Sequence, residues 1–330
     1  MNYPKPKVSI GMPVYNGEPF IRDALDAILA QSFKDFELII CDNASTDATA
    51  QICQAYAASD RRIRYYRNRE NIGAAGNFNK VFQLSSGEYF KWAAHDDLHA
   101  PDYLAKCVSV LDSDRSIVLC HSQVQIVDSQ GKFLKDYKIV LRTDSDNPVT
   151  RFHDLLSHHL CYPIFGLVRT KNLRNTPLMG NYGHTDGVLL ANLSLQGRFY
   201  EISEPLFFSR HHQRQSMNMF FPEYLSLASG DTNVRTIPDY YAYSVWFDPT
   251  LQEQTIFPHW RIFWKYMLCV GLSSVSFKIK LGCYMSMFEQ LKSLKFLLIK
   301  DLFFAVNQRF SLPDLTRETI EYQSTNPTKG

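Results

Sequence analysis

The first hundred residues alternate between short apolar runs and helix-like segments, and each apolar run ends in a polar loop. The apolar runs cover residues 8–14, 36–41, 63–66 and 89–94. Repeated strand–helix alternation of this kind predicts an α/β fold with a mostly parallel, doubly wound sheet flanked by helices. The ligand of such a fold is expected along the edge formed by the carboxyl ends of the strands.

Two adjacent carboxylates, Asp96 and Asp97, follow the fourth predicted strand and precede Pro101, which opens a helix. Acidic side chains at a strand end can hold a hard divalent cation, which in turn can hold a diphosphate. The alternative is that one of the two aspartates only caps the helix that begins near Pro101. The pair by itself leaves both interpretations open.

The sequence lacks the motifs of the commonest phosphate-binding α/β folds. After the first strand begins, the chain reads GMPVYN over residues 11–16 instead of G-x-G-x-x-G, and no P-loop sequence is present. A nicotinamide-dependent oxidoreductase is therefore a weak interpretation. The formal net charge of +2 gives no argument for nucleic acid binding.

The seven cysteines are scattered, and no two of them follow the C-x-x-C spacing. This pattern argues against a disulfide framework or a zinc site and favours a reducing compartment. The first seven residues lead into a strand without the apolar core of a signal peptide. No run of about 18 apolar residues is present, so we expect a cytosolic protein without a spanning helix.

The composition changes in the last third of the chain, where aromatic and basic residues accumulate. From Leu251 onward there are 10 Lys and Arg against 6 Asp and Glu, whereas residues 1–250 carry 25 against 27. We predict a first domain over residues 1–235 and a helical region over residues 236–330. Its helices can lie peripherally in an anionic membrane surface on the cytoplasmic face, or pack on the domain with their lysines in solvent. Both alternatives stay open.

Seven short motifs occur in one order between about residues 7 and 216, and together they resemble family 2 glycosyltransferases of the GT-A fold. In chain order they are PVYN at 13–16, DNASTD at 42–47, NIG at 71–73, GEY at 87–89, Asp96-Asp97 with Pro101, Thr185-Asp186, and Arg210-x-His212. The resemblance implies a nucleotide-diphospho-sugar donor, a divalent cation (Mn²⁺ or Mg²⁺) and inverting transfer to a hydroxyl. It further implies a saccharide or lipid-linked acceptor, in the synthesis of a cell-surface polysaccharide or glycolipid.

The resemblance divides residues 1–235 into a nucleotide-binding half over about residues 7–100 and an acceptor half over about residues 101–235. It also assigns roles to individual residues. Asp97 is expected to ligate the metal, His212 to lie near the metal or diphosphate, and Asp186 to be the catalytic base that deprotonates the acceptor hydroxyl. Asp42 is expected to accept a hydrogen bond from the base, and Asp96 to face the ribose or a metal-bound water. The full set of expected donor-binding residues is Pro13, Tyr15, Glu18, Asp42, Asn71 and Asp96. The structural alternatives are that Asp186 supports a helix start and that His212 is an ordinary structural histidine.

Two positions depart from the family pattern. Many relatives carry a basic residue shortly after the Asn-x-Gly, but residues 74–79 read AAGNFN here. A diphosphate contact is then missing, or is supplied by Arg210, Arg214 or the metal. The acid that usually precedes the catalytic aspartate is Thr185 in this chain.

Two other functions compete with this interpretation. A sugar nucleotidyltransferase would need a glycine-rich, basic loop after the first strand, which residues 13–16 do not provide. A non-catalytic, membrane-associated relative that binds nucleotide sugars would have lost Asp97 or Asp186, and both are present. The sequence therefore favours a glycosyltransferase over both alternatives.

Overall fold

The computed structural model describes residues 5–156, 161–215, 240–252, 254 and 256–310. Within these residues nine strands form one sheet in the order β3-β2-β1-β4-β8-β6-β9-β5, with β7 paired to β6. The strands are β1 (Val8–Val14), β2 (Phe36–Asp42), β3 (Ile63–Arg67), β4 (Tyr89–Trp92), β5 (Leu98–His99), β6 (Ile117–Val127), β7 (Phe133–Tyr137), β8 (Leu167–Arg169) and β9 (Arg198–Arg210).

Helices flank this sheet, and further helices follow it toward the C-terminus of the chain. They are α1 (Ile21–Leu29), α2 (Thr49–Ser59), α3 (Gly73–Gln83), α4 (Tyr103–Ser113), α5 (Pro148–Leu156), α6 (Thr170–Arg174), α7 (Thr185–Gln196), α8 (Tyr240–Phe247), α9 (Pro258–Leu272) and α10 (Phe277–Phe310). Two 3₁₀ turns cover Tyr162–Phe165 and Pro249–Leu251.

The first four strands pair in parallel, as the sequence predicts. In the register of β1, Gly11 lies opposite both Ile39 of β2 and Trp92 of β4. The other half of the sheet is mixed, because β8 runs antiparallel to β4 and β6, whereas β9 runs parallel to β6. The carboxyl ends of the four parallel strands therefore meet at one edge.

Alternating residues of the central strands enter two separate apolar layers. In β2, Phe36, Leu38 and Ile40 pack with α1, α2 and α4, whereas Ile39 and Cys41 pack with α3 and α7. Burial on both faces explains why these strands read as continuous apolar runs rather than as alternating patterns. The predicted α/β fold class is confirmed.

A third apolar layer joins the C-terminal helices to the rest of the chain. Tyr266 and Val270 of α9 and Met287 of α10 pack against Phe152 of α5 and Val188 of α7. The sequence leaves open whether the C-terminal helices pack on the domain or lie in a membrane surface. The face that carries Tyr266, Val270 and Met287 packs on the domain. In the described part of the chain, no helix combines the length and apolar character needed to cross a membrane.

Candidate active site

The loop after β1 is bound to the loop after β2 by reciprocal hydrogen bonds. Oδ1 of Asn16 accepts a bond from the backbone N–H of Thr46, 2.9 Å away. The backbone N–H of Glu18 donates to Asp47 at 3.1 Å, and the Glu18 carboxylate accepts from the backbone N–H of Ala48 at 3.0 Å. Glu18, expected at the nucleotide site, thus also satisfies a backbone donor at the start of α2.

Asp42 lies at the end of β2 and is fully buried. Its Oδ1 accepts a bond from the backbone N–H of Ser45 at 2.8 Å, and its Oδ2 accepts one from the hydroxyl of Tyr65 at 2.8 Å. Nε of Arg67 lies 3.5 Å from the same Oδ2. The carboxylate is therefore held in one orientation at the carboxyl edge of the sheet. Tyr65 and Arg67 belong to β3, and no local sequence pattern connects them to this loop.

Asparagine side chains join the loops after β2 and β3. Oδ1 of Asn71 accepts bonds from Nδ2 of Asn43 at 2.7 Å and from the backbone N–H of Gly73 at 2.9 Å. The buried Asn43 in turn accepts from Nδ2 of Asn68 at 2.8 Å. Of the other expected donor-binding residues, Pro13 is buried in β1, whereas Tyr15 exposes 46% of its surface beside these loops.

Asp96 and Asp97 lie between β4 and the short strand β5. The next helix, α4, begins only at Tyr103, with Asp102 at its N-cap position. Neither member of the acid pair is at a helix terminus, so the capping alternative is excluded. Both side chains are buried instead.

The end of β9 holds the acid pair in place. The backbone N–H of Arg210 donates to Oδ1 of Asp97 at 2.9 Å, and its Nε donates to the backbone carbonyl of Asp96 at 2.9 Å. Nε2 of His212 lies 2.9 Å from Oδ2 of Asp96. Arg210 is only 2% exposed and also bonds Asp23, so its guanidinium is already committed within the protein. This argues against Arg210 as the diphosphate contact; Arg214 is exposed.

The two buried carboxyl groups have opposite pKa shifts. Burial raises the pKa of Asp97 well above its usual range, and the adjacent charge of Asp96 raises it further. Burial also acts to raise the pKa of Asp96, but the neighbouring His95 and His212 outweigh it and lower the pKa. A second negative charge at this position is thus poorly compensated by the protein, which favours a bound cation.

Asp186 lies in the first turn of α7, where its Oδ1 accepts a bond from the backbone N–H of Gly187 at 2.9 Å. The side chain is 37% exposed and therefore accessible to a substrate. Thr185, which replaces the usual acid, is buried, and its hydroxyl accepts a bond from the backbone N–H of Gly180 at 2.6 Å. His184 is the N-cap residue, with a left-handed φ of 62°.

Consecutive residues connect Asp186 to the acid pair. One ligand atom each of Cys161, His184 and Asp186 lies within 4.8 Å of the other two. The hydroxyl of the next residue, Tyr162, lies 3.5 Å from Nε2 of His211 in the segment after β9. Burial raises the pKa of Tyr162, and the charge of Asp97 adds to this shift. Cys161 thus lies close to Asp186, and the next residue, Tyr162, reaches the segment that holds the acid pair.

A match to a protein-family model identifies the family of this chain. Residues 9–176, just over half of the 330-residue chain, match the model of glycosyl transferase family 2. The chain belongs to this family. The matched segment contains Asp42 and the acid pair, whereas Asp186 and His212 lie beyond its end.

Curated relatives of this chain are named as glycosyltransferases. An uncharacterized glycosyltransferase of Rickettsia typhi is 28% identical over 231 residues, which cover 68% of this chain and 71% of the relative. An uncharacterized glycosyltransferase of Rickettsia bellii is 34% identical over 145 residues, 43% of this chain. The matching part spans only 21% of that second relative.

Solved structures share the fold. S. aureus TarS 1–349 in complex with UDP-GlcNAc aligns over 92% of this chain and 81% of its own, with a TM-score of 0.60 and 14% identity. The mannosyltransferase PcManGT from Pyrobaculum calidifontis, in complex with GDP-Man and Mn²⁺, aligns over 92% of this chain and 87% of its own, with a TM-score of 0.50 and 15% identity. The expected GT-A fold is therefore confirmed.

Proposed function

We propose that this family member is a metal-dependent, inverting glycosyltransferase that uses a nucleotide-diphospho-sugar donor. The observation that carries the proposal is the buried pair Asp96 and Asp97, which follows β4 in the parallel half of the sheet and is held by the end of β9. The donor class is consistent with the UDP-GlcNAc and GDP-Man bound to the two structural neighbours.

The nucleoside of the donor would lie over the loops after β1, β2 and β3. The Asp42 carboxylate is fixed: its Oδ1 accepts one bond within the protein and retains a second lone pair, whereas its Oδ2 accepts from Tyr65 and also faces Arg67. An N–H group of the base is a suitable donor to it. The exposed ring of Tyr15 offers an apolar surface beside this acceptor, and the asparagines around Asn71 fix the third loop.

The acid pair has the chemistry of a site for Mn²⁺ or Mg²⁺, because both ions prefer carboxylate oxygens and retain waters. When bound, such an ion would neutralise charge that develops on the departing diphosphate. We assign Asp97 as its ligand, and we place Asp96 and His212 beside it. The group around Cys161 is less suitable, because a thiol is a soft ligand and these are hard ions.

Asp186 is our candidate for the general base. Its carboxylate would take the proton of the acceptor hydroxyl while the hydroxyl oxygen bonds to the anomeric carbon. The bond between that carbon and the diphosphate oxygen breaks on the opposite face, and its electron pair leaves with the nucleoside diphosphate. The configuration of the anomeric carbon is thereby inverted.

We further propose that the outer face of α10 contacts an anionic membrane surface, where a lipid-linked acceptor would be available. Lys278, Lys295 and Lys300 are exposed on this helix, and the carboxylate of Asp301 is already bonded to His259. Exposed apolar side chains recur at helical spacing along it: Phe277, Leu281, Met285, Phe288, Phe296, Ile299 and Phe303. Apolar stripes flanked by lysines are typical of interfacial helices.

Vesicle binding tests the membrane proposal. We expect the protein to sediment with vesicles containing phosphatidylserine and to lose this binding when Met285 and Phe288 are both replaced by glutamate. The matched control is Val140→Glu, which changes a side chain 91% exposed elsewhere on the chain. A wild-type protein that ignores anionic vesicles would contradict the proposal.

A panel of nucleotide sugars, screened for thermal stabilisation in the presence of Mn²⁺, tests the donor class, because ligand binding raises the unfolding temperature. The stabilising donor should then be turned over to a free nucleoside diphosphate. Release or consumption of pyrophosphate instead would indicate the competing nucleotidyltransferase.

A further inference from the structure

Helix α9 of the C-terminal region reaches the candidate base through a histidine. The hydroxyl of Tyr266 lies 3.0 Å from Nε2 of His184, and Nδ1 of the same imidazole lies 4.0 Å from Oδ1 of Asp186. Tyr266 is 6% exposed and packs in the apolar layer between α9, α5 and α7. A residue 80 positions after Asp186 is thus connected to its carboxylate by one side chain.

The local backbone is built around this imidazole. A Cβ atom added to Gly187 would lie 2.3 Å from Nε2 of His184, so the ring lies directly against the first turn of α7. His184 itself has a left-handed φ of 62°, which is uncommon for a residue other than glycine. Two independent features, a glycine and an unfavourable φ, therefore accommodate the ring at this position.

The proton positions follow from the contacts. Burial raises the pKa of Tyr266, with the neighbouring Cys161 and Asp186 adding to the shift, so its hydroxyl keeps its proton. If Nε2 carried the imidazole proton, the bare lone pair of Nδ1 would face the Asp186 carboxylate, which is repulsive. Donation from the Tyr266 hydroxyl to Nε2 leaves the proton on Nδ1, where it points toward Asp186.

We propose that Tyr266 and His184 are positioning residues for Asp186, and that they replace the acid that Thr185 does not supply. The inference rests on the proposed function of Asp186 as the base. The Nδ1–H group orients the carboxylate. The 4.0 Å separation is longer than a hydrogen bond, and such contacts commonly tighten only when substrate is bound.

The test is Tyr266→Phe, which keeps the ring and removes the hydroxyl. We expect kcat to fall about tenfold, the equivalent of one hydrogen bond, while the KM for the donor stays unchanged. The control is Tyr284→Phe, since that hydroxyl donates to the backbone of Met267 at 3.4 Å within the same helix pair.

A second readout does not depend on turnover. In ¹⁵N NMR spectra of the imidazole of His184, we expect the Nδ1–H tautomer in the wild type and a shift toward Nε2–H in Tyr266→Phe. A wild-type Nε2–H tautomer, or a Tyr266→Phe enzyme with unchanged kcat, would overturn the inference. A wild type that transfers no sugar but shows the Nδ1–H tautomer would instead count against the proposed function.

Discussion

Nε2 of His212 lies 2.9 Å from Oδ2 of Asp96, although 116 positions separate the two residues in the chain. In the same segment, the backbone N–H of Arg210 donates a hydrogen bond to Oδ1 of Asp97 at 2.9 Å. The last strand of the sheet therefore determines how the acid pair is held. Any change at this strand end is expected to act on the proposed cation site through these two contacts.

Replacing Asp97 with asparagine should stabilise the fold when no divalent cation is present. In the absence of divalent cations we expect Asp97→Asn to be more stable than the wild type at pH 7–8, because burial penalises the Asp97 carboxylate and raises its pKa. The penalty appears as the pH rises above the ordinary aspartate pKa, and it is complete above the raised pKa of the folded state. Urea unfolding in EDTA at several pH values measures this difference.

Addition of Mn²⁺ should then reverse the order of stability. The wild type gains stability by binding the ion, whereas Asp97→Asn lacks the ligand and should gain little. Equal stabilisation of both proteins by Mn²⁺ would contradict the assignment of Asp97.

Replacing Asp186 with asparagine should affect the chemical step alone. We expect kcat to fall about 10²- to 10⁴-fold, the usual contribution of a general base. The KM for the donor and the unfolding temperature should stay close to wild-type values, since the side chain is 37% exposed and asparagine keeps an acceptor for the Gly187 N–H. Steady-state kinetics with a saturating acceptor provide the measurement, and a loss confined to donor binding would exclude Asp186 as the base.

Glu18 should contribute to stability through α2. Because its carboxylate accepts the backbone N–H of Ala48, Glu18→Ala should lower the free energy of unfolding by about 0.5–2 kcal/mol, as for other lost helix caps. Glu70→Ala, at another exposed glutamate in a neighbouring loop, is the matched control. If both variants have the same urea midpoint, the contact between Glu18 and α2 does not contribute to the free energy of unfolding.

Lys91 is buried in β4, where burial lowers its pKa from 10.5 to about 7. The penalty for its charge is therefore fully present below about pH 7 and disappears as the pH rises from 7 to 10.5. Since one pKa unit corresponds to about 1.4 kcal/mol, we expect Lys91→Met to be more stable by up to about 5 kcal/mol at pH 6. In the wild type Lys91 donates to the carbonyl of Phe165. In Lys91→Met this carbonyl still accepts a hydrogen bond from the hydroxyl of Tyr103, 3.1 Å away.

Unfolding free energies at pH 6 and pH 9.5 test this expectation. The wild type should gain stability between the two pH values relative to Lys91→Met. Lys106→Met, which removes a half-buried lysine paired with Asp102 and Glu204, should leave the pH dependence between pH 6 and 9.5 unchanged. A constant difference between wild type and Lys91→Met at both pH values would show that the lysine does not titrate as described.

The sequence predicts the parallel half of the sheet well, because strands buried on both faces produce long apolar runs with polar residues at their ends. It does not distinguish a cation site from a helix cap at Asp96 and Asp97, since the two-residue strand β5 that excludes the cap has no recognisable pattern. Arg210 shows a similar limit: a basic residue near a proposed diphosphate site is, in the structure, bonded to Asp23 and Asp96.

Contacts between distant elements outside the recognised motifs could not be predicted. Tyr266 and His184 are 82 positions apart and belong to regions of different composition. Lys91 lies in an apolar run, but nothing in that run indicates that its amino group is buried against Tyr103. Such contacts depend on how helices pack on the sheet, and single-sequence patterns carry no information about that packing.

Donor turnover with and without Mn²⁺, in the wild type and in Asp97→Ala, tests the central claim most directly. We expect the wild type to release nucleoside diphosphate from its donor only when Mn²⁺ is present, and Asp97→Ala to show no turnover that depends on the ion. Turnover in Asp97→Ala that responds to Mn²⁺ as in the wild type would contradict the claim that the acid pair holds the cation.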